Sequence, residues 1–558
     1  MDIYIYLGVF LCLIVFFAYQ SSISKKKIKA EIEKKLNDSW GTKSNREYKI
    51  GELDKIRKYF DINTPKSYVD DITWNDMGMD DIFKSLNHTL SSIGEDCLYA
   101  RLRSMEYTDA ELASFNELVN RLNDNPQAAI KLQQAFYELG RTKSVCIYEF
   151  IKKLASLPAK KNTEHIVRSI LFIGSIAMLF VQPIIGIICL IVMLSSNVIR
   201  YYRLKKDIED YFVCFSYLVN MVVSSRNIIE YSKDIAKEQS DELAVIYKNV
   251  VGMTKGVFLI AGNNMSGSLG EIVMEYVRMI FHVDIMKFNS MLKAIQKHQR
   301  EFEKLYQLIG ELESACAVAS YRVYLEKEYK HYCTPTFDET LMGVKGCQIY
   351  HPLINNPVKN TIDNHKSVLL TGSNASGKST FLKTVGICAI LGQTIYTCPG
   401  QAFSMRRCNV YSSMSLKDDL LGGESYYIVE IKALKRIIDA AKRGERLICF
   451  VDEVLRGTNT VERVSASTEI LEHLASFFSG NVICFAATHD IELTHLLEET
   501  YENYHFEEQV VNDDVLFNYQ LNSGRATSRN AIQLLKVMGY DDSIIEKARA
   551  RADRLLNY

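Results

Sequence analysis

Residues 3–19 (IYIYLGVFLCLIVFFAY) are apolar without interruption, 17 residues that come close to the length a spanning helix needs. Lys25, Lys26, Lys27 and Lys29 follow this run and nothing basic precedes it. That asymmetry predicts an uncleaved anchor over 1–24, with the N-terminus outside and the rest of the chain cytoplasmic. A cleaved signal would want a basic start and a small-residue cleavage site. A second apolar block, Ser169 to Ile199, is broken in its middle by Gln182-Pro183. A residue before proline avoids the helical region, so the block reads as two short helices and a turn. Lys160, Lys161 and Arg168 flank one side, and Arg200, Arg203, Lys205 and Lys206 the other. Basic residues at both ends suit a hairpin over 164–203 that enters and leaves on the cytoplasmic face, giving a multi-pass protein of about three spans.

The polar stretches between these blocks carry helical periodicity. Residues 25–60 begin as a charged, heptad-like segment (KKKIKAEIEKKL) that reads as a solvated amphipathic helix. Apolar positions recur at helical spacing over 78–160, and again over 204–330 in runs long enough for paired long helices. The regions 25–163 and 204–340 are therefore expected to be all-α. From about Leu341 short β-rich runs alternate with helices, so 341–558 is expected to be an α/β domain.

Composition narrows the class. With 558 residues the chain needs more than one core. A net charge of −1 does not suit a strongly basic nucleic-acid binder, though a local basic patch remains compatible with it. The 13 cysteines show no CxxC pair and mostly sit in apolar runs. They read as reduced, buried thiols rather than zinc ligands or structural disulfides.

The candidate chemistry lies in the α/β part. The apolar run 367–370 leads into GSNASGKS, residues 372–379, and then a helical stretch. This is the strand–loop–helix context a phosphate-binding P-loop requires. Glycines let the loop curl so that backbone N–H groups face phosphate oxygens, and the helix start adds positive dipole character. Gly372, Ser373, Asn374, Ala375, Ser376, Gly377, Lys378, Ser379 and Thr380 are thus candidate ATP ligands. Lys378 would reach the β- and γ-phosphates, and Ser379 would hold Mg²⁺. A second apolar strand ends at Asp452-Glu453, a Walker B pattern. Asp452 is expected on the Mg²⁺ and Glu453 on the attacking water. A third strand ends at Thr488-His489, which places His489 near a γ-phosphate. This order is that of an ABC-type ATPase. Gly422-Gly423-Glu424-Ser425, ahead of another helix, reads as a signature in which Ser425 serves the nucleotide of a second subunit, implying a homodimer with composite sites.

With these motifs in order, the chain resembles the MutS family. Residues 371–380 (TGSNASGKST) resemble its TGPNxxGKST, 452–460 (DEVLRGTNT) its DEIGRGTST, and Ala487-Thr488-His489 its ATH. His351-Pro352 resembles the RHP ahead of the family's P-loop strand. Residues 523–531 (SGRATSRNA) resemble its late glycine/serine segment, which is followed in relatives by a subunit-pairing helix-turn-helix. Residues 70–103 look like the start of the family's helical core. The resemblance implies ATP hydrolysis, Mg²⁺, a dimer and, as the family name suggests, DNA as a partner. It also implies that Val358 stands where relatives stack an aromatic on adenine, and that Tyr519 falls where they place a histidine near the base. No stretch matches the family's mismatch-reading domain or its connector, and the apolar hairpin interrupts the helical core.

The expected function is therefore a membrane-anchored MutS-like ATPase whose client is DNA or an unknown protein. An ABC-type transport ATPase would need many more spans and a full LSGGQ signature where this chain has LLGGES. A scaffold that binds ATP without turnover would not need Glu453.

Overall fold

The computed structural model describes residues 23–24, 26–142, 145–158, 161–254, 269–373, 376–414, 426–455, 458–477, 481–511, 514–526 and 539–556. The apolar run 3–19, Asn374, Ala375 and the signature with Ser425 lie outside the described residues.

As expected, the chain is mostly helical up to Tyr329 and then becomes an α/β domain with two sheets. Local sequence sets several helix starts. Thr108 and Glu111 form a reciprocal capping box ahead of Asp109–Asp124. Asn125 caps the helix Pro126–Leu139, which opens on its proline. The helix Gln299–Tyr329, here called the lever helix, runs through the middle of this body and ends on Lys330 in the left-handed conformation. Its inward face, including Leu305, Ile309, Leu312 and Val318, is fully or almost fully buried.

The turn falls at Gln182-Pro183 as expected, but only the first helix is short; the second does not stop at the end of the apolar block. The helix Thr163–Met178 turns through 179–182, and Pro183 opens a 50-residue helix, Pro183–Ser232. At 1.5 Å per residue this second helix is about 75 Å long. Residues 203 and 204 lie inside it, so the hairpin arm and the helical body share one continuous rod. Two stretches of the rod are long and apolar enough to cross a membrane by length and composition, and burial separates them. Pro183–Lys206 is only 17% buried, whereas Tyr211–Ser232 is 61% buried and packs in the helical body through Phe215, Leu218 and Met221. Exposed apolar side chains line both hairpin arms and the turn, among them Ile170, Ile173, Phe180, Ile184 and Ile188.

In the α/β domain one sheet has the order β1-β5-β2-β3, formed by β1 (Thr336–Phe337), β2 (Val344–Ile349), β3 (Asn360–Asp363) and β5 (Ala402–Met405). The other has the order β10-β9-β4-β8-β7-β6, formed by β4 (Ser367–Thr371), β6 (Asn409–Ser413), β7 (Leu447–Asp452), β8 (Val482–Ala487), β9 (Tyr501–Val511) and β10 (Asp514–Ser523). It is parallel except for the β9–β10 pair. Every residue of β4, β7 and β8 is buried, as a sheet covered on both faces requires. Alternation divides them. Val368, Leu370, Ile448, Phe450, Ile483 and Phe485 join the large core shared with the helical body, while Leu369, Cys449, Val451, Cys484 and Ala486 join a second core under the helices Tyr426–Lys442 and Thr460–Ser476. The C-terminal ends of these three strands therefore open side by side.

Candidate functional site

The loop after β4 reaches the helix Lys378–Ile395 through two glycines with positive φ, 144° at Gly372 and 111° at Gly377. A Cβ on Gly372 would stand 2.8 Å from Ser376 Oγ and 2.9 Å from the Phe506 carbonyl oxygen, so only glycine lets the loop pass β9. Lys378 opens the helix. Its Nζ donates to the carbonyl oxygens of Gly372 (2.8 Å) and Ser373 (2.9 Å). Ser376 Oγ is buried and has no hydrogen-bond partner among the described residues, as expected of a group that faces a bound molecule.

Parallel pairing brings the other strand ends to this loop. Ser379 Oγ donates to Asp452 Oδ2 at 2.5 Å, joining the first turn of the helix to the end of β7. Glu453 follows in the left-handed conformation (φ 56°), with its N–H bonded to the Ala487 carbonyl at 2.8 Å. Such a φ is costly for a non-glycine residue. His489 Nε2 lies 2.8 Å from Glu453 Oε1 and 3.2 Å from Lys378 Nζ, so one ring nitrogen faces both a carboxylate and an ammonium. Arg463 holds Asp490, the next residue, with two hydrogen bonds of 2.9 and 2.6 Å. Hard oxygen donors beside an ammonium and a helix start can receive a divalent cation with an oxyanion.

These groups line one cleft of about 900 Å³. Ser373, Ser376, Gly377, Lys378, Ser379, Thr380, Asp452, Glu453 and His489 all border it, as do Val358 and Tyr519. Val358 and Tyr519 are 38% and 45% exposed, leaving apolar surface at the cleft mouth. Tyr519 has a φ of 53° and is held through Asn360, whose Nδ2 donates to the Tyr519 carbonyl and whose Oδ1 accepts from the Leu521 N–H. Sequence reasoning missed Phe506, Lys383 and Glu508. Phe506 and Lys383 border the cleft, and Ser373 Oγ donates to the Glu508 carboxylate. Only the pairing of β9 with β4 brings Phe506 and Glu508 there, and no spacing signals it. His351 also borders the cleft. Burial, reinforced by Lys383, pushes its imidazole down to about 4, so the ring is neutral near pH 7.

Residues 368–556 match the family model described as MutS domain V. The chain is 27% identical over 351 residues to MutS protein homolog 4 of Mus musculus, covering 58% of this chain and 34% of that protein. It is 29% identical over 272 residues to the DNA mismatch repair protein MutS of Thermotoga sp. (strain RQ2), covering 47% of this chain and 33% of that protein. Against the DNA mismatch repair protein MutS of Thermus thermophilus the identity is 28% over 269 residues, covering 47% and 31%. The match thus spans about a third of the length of these relatives. A loop turned by two glycines, an acidic strand end and a histidine thus converge on one cleft, and the segment that supplies them, residues 368–556, is the part of the chain that matches domain V of the MutS family.

Proposed function

We propose that this protein is a membrane-held MutS-type ATPase that binds ATP with Mg²⁺, hydrolyses it in a homodimer with composite sites, and uses the cycle to move its helical levers. The convergence of Lys378, Ser379, Asp452, Glu453 and His489 on one cleft carries this reading. The Lys378 ammonium would leave the carbonyls of its own loop for the phosphates, which also take the N–H groups at the helix start. Ser379 and Asp452, already in contact, would hold Mg²⁺, which supplies charge neutralisation when bound. Glu453 would orient and deprotonate the attacking water, with His489 keeping the carboxylate aimed. Val358 and Tyr519 would flank the base, and Ser425 would reach the partner subunit's nucleotide.

The membrane part of the proposal rests on the hairpin. Its arms are studded with exposed isoleucine, valine and phenylalanine, and charge collects at its base. There Glu164 accepts from Arg200 at 3.0 and 3.1 Å and from Arg168 at 3.2 Å. An apolar face ending in a charged belt suits a boundary between lipid and water. With the apolar run 3–19 this would make about three spans, the ATPase domain being cytoplasmic and the N-terminus outside. The relatives named for DNA mismatch repair make DNA the first client to test.

The decisive experiment measures nucleotide retention and turnover by the full chain in lipid nanodiscs. Glu453→Ala should still retain Mg²⁺-ATP while turnover falls about 10²–10³-fold, the loss of a general base. Lys378→Ala should lose retention as well. A native chain that neither retains nor splits ATP, with or without DNA, would refute the proposal.

A further inference from the structure

The lever helix and the helix Lys378–Ile395 meet at a joint unrelated to the cleft chemistry. Arg322, fully buried on the lever helix, donates to Thr397 Oγ1 at 2.8 Å and to the Tyr396 carbonyl at 2.9 Å, just past the end of the second helix. Beside this contact Cys333, four residues beyond the lever helix, and Cys398 form an isolated antiparallel bridge. They exchange both backbone hydrogen bonds, Cys333 N–H to the Cys398 carbonyl at 3.0 Å and the reverse at 2.8 Å. A pair of this kind sets its Cα atoms about 5.5 Å apart, and a disulfide spans roughly 4.4–6.8 Å between Cα atoms.

The two thiols are unlike. Cys398 is completely buried, and its S–H lies 3.2 Å from the Cys388 carbonyl. Cys333 is half-buried and borders a surface cleft of about 540 Å³ with Glu326, Thr334 and Gln401. When the Cys398 S–H turns from the Cys388 carbonyl to Cys333, that hydrogen bond holds the Cys333 thiol below its ordinary value. An accessible sulfur with raised thiolate character beside a buried second sulfur is the arrangement of an attacking and a resolving cysteine.

We propose that Cys333 and Cys398 are a reversible thiol–disulfide pair, at which a peroxide fastens the end of the lever helix to the end of the helix Lys378–Ile395. The Cys333 thiolate attacks the peroxide. An S–O bond forms, the O–O bond breaks, and the departing hydroxide takes a proton and leaves as water. The Cys398 sulfur then attacks the sulfenic sulfur. The S–S bond forms, the S–O bond breaks, and the second hydroxide leaves as water with the Cys398 proton. Two thiols lose two electrons and hydrogen peroxide is reduced to two waters. A dithiol reductant reverses the link.

The test treats the folded full chain, in detergent micelles, with a small excess of hydrogen peroxide, blocks remaining thiols and maps peptides without reduction. The expected result is a Cys333–Cys398 linked peptide that disappears with dithiothreitol, and a loss of two of the 13 thiols before any other pair forms. In Cys398→Ser the sulfenic acid has no partner, so dimedone should mark Cys333. In Cys333→Ser the link should vanish and Cys398 should stay reduced. The proposal is overturned if both thiols can still be alkylated after the oxidised chain is unfolded, if Cys398 pairs with Cys388 instead, or if the link forms only in denaturant.

Discussion

Replacing Ile188 and Ile191 by lysine tests whether the hairpin face is solvated by lipid. Both side chains are exposed, at 57% and 59%, so the fold should barely register the change. Sixteen large apolar side chains from Ile166 to Ile199, these two included, are exposed, at 39–87%. At about 0.3–0.6 kcal/mol each on an insertion scale, they favour the bilayer by on the order of 5–10 kcal/mol. A lysine deep in the bilayer costs about 2.5–3.5 kcal/mol, so each Ile→Lys exchange reverses roughly 3–4 kcal/mol and the pair roughly 6–8. The double variant should therefore cancel most of the drive. Cys189 is exposed on the same helix and serves as the reporter. In a background with Cys12, Cys97, Cys333, Cys347 and Cys408 replaced by serine, a polarity-sensitive thiol probe at Cys189 in liposomes should emit as in hydrocarbon and be quenched by spin-labelled lipid. The double variant should emit as in water and be quenched by iodide. If the native hairpin is quenched by iodide and untouched by spin-labelled lipid, the face does not sit in a bilayer and the membrane reading fails.

Two further outcomes concern stability. Asp76, buried in the helical body, accepts from Ser412 Oγ at 2.6 Å and from the Met414 N–H at 3.0 Å, at the end of β6. Asp76→Ala strands two buried donors and should lower stability in urea by about 2–4 kcal/mol, with Asp76→Asn recovering part of it; a change within experimental error would show that this contact does not hold the strand. His351 is held neutral by burial down to about pH 4, whereas an unfolded histidine protonates near 6.5. The unfolded chain gains that proton first, so stability should fall as pH drops from about 6.5 towards 4. His351→Gln should remove one proton from the pH slope of the unfolding midpoint in that window, and an unchanged slope would place the titration elsewhere.

The local geometry of the motif segments was legible in the chain because it depends on local spacing. A loop that must curl tightly needs glycine at 372 and 377, a helix that starts on the loop puts Lys378 and Ser379 in its first turn, and fully buried strands read as apolar runs ending at Asp452 and Ala487. The turn at Gln182-Pro183 was legible for the same reason, since proline restricts its neighbour wherever it stands. Tertiary structure decided which strand ends lie side by side. The order β9-β4-β8-β7 brings Phe506 and Glu508 to a loop more than 130 residues away, and parallel register sets Asp452 opposite Ala487 and so Glu453 beside His489. Apolarity alone likewise could not separate the two halves of the helix Pro183–Ser232. Both are rich in the same side chains, and only packing buries Tyr211–Ser232 in the helical body while leaving Pro183–Lys206 uncovered.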